Sequence, residues 1–203
     1  MQNVLLIVPC YNEEKRLDTA VFKAASPNIE FLFANDGSSD GTREMLDNLA
    51  RESTRFKAFH APENVGKANV IYGAYKFAEQ NLNVNKYAWV GFWDADLATP
   101  LSAVADMAIY AQTFYESRGH ETNAIWGSRV SRLGSAITRH AHRHYLGRMF
   151  VTVVSVLLGV KAYDSQCGAK LFRPAAAAIA FREPFLSRWI FDVEILLRIG
   201  RES

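Results

Sequence analysis

The chain has 203 residues, of which 49% are hydrophobic and 22% are charged, and its formal net charge is +2. This length and composition suit one sizeable globular domain and exclude a disordered protein, and the small net charge does not by itself support nucleic-acid binding. The two cysteines, Cys10 and Cys167, are far apart and lack metal-ligand spacing, so we expect no zinc site, no disulfide framework and a reducing compartment.

Strand-like and helix-like stretches alternate along the chain. The predicted strands cover residues 3–9, 30–34, 56–60, 87–93 and 124–127, and the predicted helices cover 13–25, 40–51, 67–80, 101–117 and 190–201. Asp40 is the expected N-cap of the second helix. Because the strands are continuously apolar, we predict an α/β domain over residues 1–203 with a mostly parallel sheet and helices on both faces. The last helix lacks a terminal cap, so we expect a C-terminally truncated polypeptide.

The longest apolar run covers residues 149–160. It is about half of the roughly 20 residues that a membrane-spanning helix needs, so we predict no transmembrane segment inside this chain. The run directly follows Arg148, and it fits a helix lying on a bilayer surface as well as a buried core helix. The first residues resemble a strand and not a signal peptide.

Four predicted strands run directly into polar clusters. The clusters have the sequences PCYNE (9–13), NDGSSD (35–40), NVGK (64–67) and DAD (94–96). Ligands of open α/β sheets bind at the carboxyl ends of the strands. We therefore expect the four clusters to surround one site.

Asp94 and Asp96 lie one residue apart at the end of a predicted strand. Two such carboxylates can hold a hard cation such as Mg²⁺ or Mn²⁺, with diphosphate oxygens as further ligands. The cation would neutralise charge on a departing diphosphate. The same pattern also occurs by chance in solvated turns, and only its context with the other clusters favours a metal site.

Asp36 precedes a turn that contains Gly37 and Gly41. We expect its carboxylate to be free to accept hydrogen bonds from the ring N–H of a base. Lys67 begins a helix, where its ammonium and nearby backbone N–H groups can bind an anion or the base. Each cluster in isolation is equally typical of an ordinary turn or connection.

The stretch from residue 122 to residue 163 contains no acidic residue. Its cations are Arg129, Arg132, Arg139, Arg143, Arg148 and Lys161. Arginine binds phosphate in a bidentate manner, so we interpret this stretch as an anion-binding surface in preference to a merely solvated basic face. His140, His142 and His144 are interpreted as part of this surface and not as metal ligands.

The four polar clusters together resemble those of the family 2 glycosyltransferases of GT-A (Rossmann-like) fold, over nearly the whole chain. Four further segments resemble the polyprenyl-phosphate sugar synthases, most closely the dolichyl-phosphate glucosyltransferase branch. These segments are GSR (127–129), the arginine-rich residues 142–148, DSQCGAKLF (164–172) and RWIFDVE (188–194). The set is specific, although each motif alone is weak.

The resemblance implies a role for each matched residue. The nucleotide would be held by Pro9, Tyr11, Glu13, Asp36 and Lys67, with Asp94 on the diphosphate side. Asp94 and Asp96 would bind Mg²⁺ or Mn²⁺. Arg129, with Arg143 or Arg148, would bind the acceptor phosphate, and Asp164 and Gln166 would lie near the transferred sugar.

The implied reaction is inverting transfer of a hexose from a nucleotide-sugar to a polyprenyl or dolichyl phosphate. UDP-glucose is the first expected donor and GDP-mannose the second, with the protein in the cytoplasm, peripheral on the cytosolic face of a membrane. One alternative is transfer to a sugar hydroxyl in polysaccharide synthesis, which requires a base such as Asp164 or Asp192. Another is a non-catalytic nucleotide-sugar binding module.

Overall fold

The structure is a computed structural model, and it describes residues 2–128, 167–188 and 190–201 of the chain. The strands in this part are β1 (Val4–Cys10), β2 (Ile29–Asn35), β3 (Phe56–His60), β4 (Trp89–Trp93), β5 (Ala124–Trp126) and β6 (Ala169–Phe172). The helices are α1 (Thr19–Ala24), α2 (Thr42–Glu52), α3 (Lys67–Asn81), α4 (Ala103–Arg118), α5 (Pro174–Ala180) and α6 (Phe191–Gly200), and a 3₁₀ turn covers Val84–Lys86.

The strands form one sheet in the order β3-β2-β1-β4-β6-β5. Strands β1 to β4 run parallel to one another, whereas β6 pairs antiparallel with both β4 and β5. The predicted mostly parallel α/β sheet is therefore confirmed. Strand β6 was not predicted, because Lys170 interrupts its short apolar pattern.

Both faces of the sheet are buried. Leu6 and Val8 of β1 belong to one core cluster, together with Phe22 of α1. Leu5 and Ile7 point the other way and belong to a second cluster, which contains residues of α3, α5 and α6. A strand that is buried on both faces needs an apolar residue at every position, which explains the continuous apolar runs.

The predicted starts of the first two helices are wrong, and α4 begins at Ala103 and not at residue 101. The first helix begins at Thr19 and not at residue 13, because the Asp18 side chain caps it by accepting from the backbone N–H groups of Ala20 and Val21. The second helix begins at Thr42, and Gly41, not Asp40, occupies the N-cap position. Asp40 instead accepts hydrogen bonds from the Thr42 backbone N–H and hydroxyl.

Helix α5 was also not predicted from the sequence. It begins with Pro174 and consists largely of alanine, a composition that favours a helix through the fixed φ of proline at the first position and the high helix propensity of alanine. Among the helices in the described part of the chain, none has the length and apolar character needed to cross a membrane. The apolar run at residues 149–160 lies outside the described residues.

Candidate functional site

A cavity of about 350 Å³ opens at the carboxyl ends of β1, β2 and β4. Its wall contains every residue to which the resemblance assigns nucleotide or metal, namely Pro9, Tyr11, Glu13, Asp36, Lys67, Asp94 and Asp96. Cys10, Arg16 and Ala95 complete the wall. The expected convergence of the strand ends is therefore present, and the individual roles of these residues stay predictions.

The residues predicted for the acceptor side lie outside the described residues. They are Arg129, Arg143, Arg148, Asp164 and Gln166, and the three histidines at positions 140, 142 and 144 lie there too. The cavity therefore contains the residues predicted to bind nucleotide and metal, and their roles stay predictions.

The loops after β1 and β2 are joined to each other by hydrogen bonds. The Asn12 backbone N–H donates to the Ser38 hydroxyl at 3.0 Å, and the Asn12 side-chain oxygen accepts from the Ser39 backbone N–H at 2.9 Å. Asn12 has a φ of 53°, a left-handed conformation that asparagine tolerates better than most residues. One residue on, the Glu13 backbone N–H donates to the Thr42 hydroxyl at 2.7 Å. These bonds fix the position of the wall that carries Tyr11 and Glu13.

The Asp36 carboxylate is not free, in contrast to the prediction. It accepts hydrogen bonds from the backbone N–H groups of Val65 at 2.7 Å and Gly66 at 3.0 Å. Burial raises the pKa of Asp36, and these two bonds and the charge of Arg188 oppose that rise. Asp36 therefore holds the loop before Lys67, and a base N–H can bind only to the remaining lone pairs of its oxygens.

Lys67 and Asp94 form an ion pair inside the cavity wall. The Lys67 Nζ lies 2.5 Å from Asp94 Oδ1, and the two side chains are 38% and 32% exposed. The Gly66 residue that precedes Lys67 has a φ of +84°, which glycine adopts without strain. The pair places a cation and a carboxylate within reach of the same ligand.

The two acids at the end of β4 provide oxygen ligands only. Asp96 accepts from the Ala98 backbone N–H at 3.0 Å, and a second cavity of about 40 Å³ borders both Asp94 and Asp96. In residues 2–128, 167–188 and 190–201, no group of three or more histidine, cysteine or acidic residues is arranged to hold a metal ion. Two carboxylates alone still fit Mg²⁺ or Mn²⁺, which commonly take their other ligands from water and substrate phosphates.

Glu13 and Arg16 add a second pair of opposite charges to the cavity. Arg16 Nη2 donates to Glu13 Oε1 at 2.8 Å. Burial raises the pKa of Glu13, with contributions from Asp96 and Asp40, and Arg16 opposes the rise. Arg16 was not predicted as a site residue, although its position three residues after Glu13 in a turn is a signal that the sequence contains.

Arg188 is a further cation that the sequence reasoning left without a role. Its side chain packs over Gly66, with Cδ 3.6 Å from the position that a Cβ of residue 66 would occupy. It is exposed, and its charge acts on Asp36. The sequence did point to Arg188 indirectly, because the segment 188–194 was matched as a whole to the polyprenyl-phosphate sugar synthases.

Two other polar side chains are poorly suited to chemistry with a substrate. The Cys10 thiol is buried, burial raises its pKa, and it donates to the Val8 carbonyl at 3.4 Å. Asp192, one of the two candidate bases of the sugar-hydroxyl alternative, has a side chain only 7% exposed and is paired with Lys170 at 2.7 Å. A base needs access to the hydroxyl that it deprotonates.

Comparison with solved structures defines the class of the fold. S. aureus TarS, residues 1–349, aligns with a TM-score of 0.59 at 16% identity, over 97% of this chain and 55% of that one. The mannosyltransferase PcManGT of Pyrobaculum calidifontis, solved in complex with GDP-Man and Mn²⁺, aligns with a TM-score of 0.57 at 17% identity, over 98% of this chain and 52% of that one. The predicted GT-A fold is confirmed.

The family follows from the sequence comparisons. The model of the family described as Glycosyl transferase family 2 matches residues 5–185, and the chain belongs to this family. A dolichyl-phosphate beta-glucosyltransferase of Trichomonas vaginalis is 30% identical over 206 residues, which cover 94% of this chain and 58% of that protein. The predicted membership of the family 2 glycosyltransferases is confirmed, and so is the predicted resemblance to the dolichyl-phosphate glucosyltransferases. The chain spans less than two thirds of the length of this relative.

Proposed function

We propose that this chain is the donor-binding catalytic domain of an enzyme that transfers a hexose from a nucleotide-sugar to a polyprenyl or dolichyl phosphate. One observation carries the proposal: Asp36, Lys67, Asp94 and Asp96 line a single cavity at the strand ends of a family 2 chain. A relative at 30% identity is named a dolichyl-phosphate beta-glucosyltransferase, so UDP-glucose is the first proposed donor and GDP-mannose the second.

Asp94 and Asp96 are the proposed holders of Mg²⁺ or Mn²⁺, because both acids line the cavity and carboxylate oxygens are suitable ligands for these ions. A bound cation supplies positive charge to the departing diphosphate. The neighbour of the same fold from Pyrobaculum calidifontis contains Mn²⁺ together with GDP-Man.

The other cavity residues are proposed to bind the rest of the donor. Lys67 lies at the first position of α3, so its ammonium and the positive end of the helix both favour a diphosphate there. Pro9 and Tyr11, a residue that is 46% exposed, are proposed to offer apolar surface to the base. Asp36 orders the loop before Lys67 and has lone pairs left for a base N–H.

The proposed reaction inverts the anomeric carbon. An oxygen of the acceptor phosphate attacks that carbon on the side opposite the leaving diphosphate. Because a phosphate oxygen is already anionic, this acceptor requires positive charge more than a general base. Arg129, Arg143 and Arg148 are the proposed source of that charge, Asp164 and Gln166 are proposed to lie near the transferred sugar, and all five lie outside the described residues.

Transfer to a sugar hydroxyl requires a base, and Asp164 and Asp192 were the two candidates. Asp192 is buried and paired with Lys170, so only Asp164 remains of the two, and this favours a phosphate acceptor. We further propose that the protein acts at the cytosolic face of a membrane, where a lipid phosphate is accessible to a peripheral enzyme.

The test is an assay with each nucleotide-sugar, Mg²⁺ or Mn²⁺ and a polyprenyl phosphate, in which the glycolipid is extracted and quantified. The wild-type protein should form the glycolipid, and Asp96→Ala should abolish its formation. Asp106→Ala, which removes an exposed acid of α4 away from the cavity, is the matched control and should retain activity. Metal-dependent nucleotide binding without any glycolipid would favour the binding-module alternative, and full activity of Asp96→Ala would refute the metal assignment.

A further inference from the structure

A buried ion pair lies behind the acidic wall of the cavity. Lys170, in β6, has a fully buried side chain, and its Nζ lies 2.7 Å from Oδ1 of Asp192 in the first turn of α6. Burial lowers the pKa of Lys170 and raises the pKa of Asp192 despite their mutual attraction. Such pairs are often no more stabilising than apolar residues of similar volume, so stability alone does not account for this one.

The Lys170 ammonium also makes a contact that leads towards the cavity. It donates a hydrogen bond of 2.5 Å to the backbone carbonyl of Cys167. The ring of Phe92, on β4, lies 4.9 Å from the same nitrogen and limits its movement. Since Cys167 directly precedes Gly168, the ammonium restrains the turn that leads into β6.

Gly168 forms the surface on which the Asp94 carboxylate lies. The Asp94 backbone N–H donates to the Gly168 carbonyl at 2.9 Å. A Cβ at position 168 would lie 1.8 Å from Asp94 Oδ2, so the two residues are in close contact. On the other side, Lys67 holds Oδ1 at 2.5 Å. A shift of the Cys167–Gly168 turn would therefore move or rotate the Asp94 carboxylate.

We propose that the Lys170–Asp192 pair is a positioning element for Asp94: by holding the Cys167 carbonyl, it sets where Gly168 meets the carboxylate. The inference rests on the proposed function, in which Asp94 is a metal ligand. Mg²⁺ requires near-ideal octahedral geometry, and loss of the partners that orient a ligand typically weakens metal affinity 10–100-fold.

The test uses the double variant Lys170→Met/Asp192→Leu, which replaces the pair with apolar side chains. Thermal unfolding establishes that the variant folds, and calorimetry measures UDP binding over a Mn²⁺ series and in the presence of EDTA. The Mn²⁺ concentration for half-maximal UDP binding should rise about 10–100-fold, whereas metal-free UDP affinity should stay within about threefold. A purely structural role would reduce the folded fraction but would leave the half-saturation of the folded molecules unchanged.

The matched control is Lys57→Met/Glu30→Leu, which removes a pair of 2.6 Å at the amino end of β2, away from the cavity. It should lower the melting temperature without changing the Mn²⁺ half-saturation. Should the first double variant not fold, Asp192→Asn preserves the shape of the side chain and should raise the half-saturation at least threefold.

Two results would overturn the proposal in different ways. If Mn²⁺ promotes UDP binding by the wild type, and the folded Lys170→Met/Asp192→Leu variant has the same Mn²⁺ half-saturation, the positioning role is refuted and the metal site is not. Absence of any metal effect on UDP binding by the wild-type protein refutes the proposed metal site, and the positioning role with it.

Discussion

Replacing Gly168 with alanine places a methyl group against the Asp94 carboxylate. The added Cβ would lie 1.8 Å from Oδ2 and 2.1 Å from Cγ of Asp94, whereas real contacts of a Cβ lie at 3.0 Å or more. The two groups must therefore separate by roughly 1.2 Å. Asp94 cannot move alone without breaking contacts, because its Oδ1 is paired with Lys67 and its backbone N–H donates to the Gly168 carbonyl.

The displacement sets the expected size of two effects, a loss of folding stability and a loss of activity. Overpacking of this kind typically destabilises a protein by about 1–3 kcal/mol, which urea denaturation measures. A misplacement of about 1 Å at a reacting centre can lower the rate about 100-fold, so glycolipid formation should fall to about one hundredth of the wild-type rate at saturating Mn²⁺. Mn²⁺-dependent UDP binding, followed by calorimetry, should weaken in the same variant.

Gly200→Ala is the matched control for this substitution. Among the described residues, and apart from its chain neighbours and the backbone of its own helix, no atom lies within 4 Å of the position that its Cβ would take, and Gly200 is the last residue of α6. Alanine there should leave activity unchanged and should slightly increase stability, because alanine has the higher helix propensity. If Gly168→Ala bound Mn²⁺ and UDP as the wild type does, the close packing of Gly168 on Asp94 would not govern the site and the reasoning would fail.

Three further substitutions test separate parts of the molecule. Asp36→Ala leaves two backbone N–H groups without their acceptor and should destabilise the protein by about 2–3 kcal/mol in urea denaturation; a loss below about 0.5 kcal/mol would contradict the role of Asp36 in holding its loop. Burial alone would raise the pKa of Glu30, but hydrogen bonds, first from Lys57, outweigh it and hold that pKa below its usual value. The resulting stabilisation is present above the unfolded-state pKa and is lost as the pH falls through the folded-state pKa, so Glu30→Gln should flatten the decline of the urea midpoint on acidification, and parallel pH profiles would refute this. Arg188 packs over Gly66, next to Lys67, and its charge acts on Asp36, so Arg188→Ala should weaken UDP binding. The loss should not exceed about fivefold, because an exposed cation contributes little binding energy. Arg118→Ala, at the far end of α4, should not change UDP binding in the same titration.

The position of the cavity was predictable from the sequence because it depends on features that are local in the chain. Each continuous apolar run ends in a polar cluster, and parallel strands bring such ends to one edge. The observed cavity contains residues from the ends of β1, β2 and β4 and the start of α3, as this rule predicts. Strand β3 matched its predicted bounds, Phe56–His60.

The elements that the sequence did not reveal depend on partners that are distant in the chain. Lys170 makes β6 look unlike a buried strand, and its charge is accommodated because Asp192 and the Cys167 carbonyl lie against it in the folded chain. Asp36 looked available to a ligand because its partners, Val65 and Gly66, follow 29 and 30 residues later. The periodicity and capping rules consider neighbours within a few residues, and they cannot reveal such contacts.

The ion pair of Lys67 and Asp94 connects these observations to the proposed chemistry. Asp94 Oδ1 lies 2.5 Å from an ammonium, and a divalent cation cannot coordinate that oxygen on the same side while the ammonium remains in place. Within the proposed function, Asp94 and Asp96 would hold the cation, and Lys67 would exchange its partner Asp94 for the diphosphate, where its charge would support the leaving group. Gly168 and the Asp94 backbone hydrogen bond hold the carboxylate in position during this exchange, so the geometry of the site depends on the turn behind Asp94 as well as on the two acids themselves.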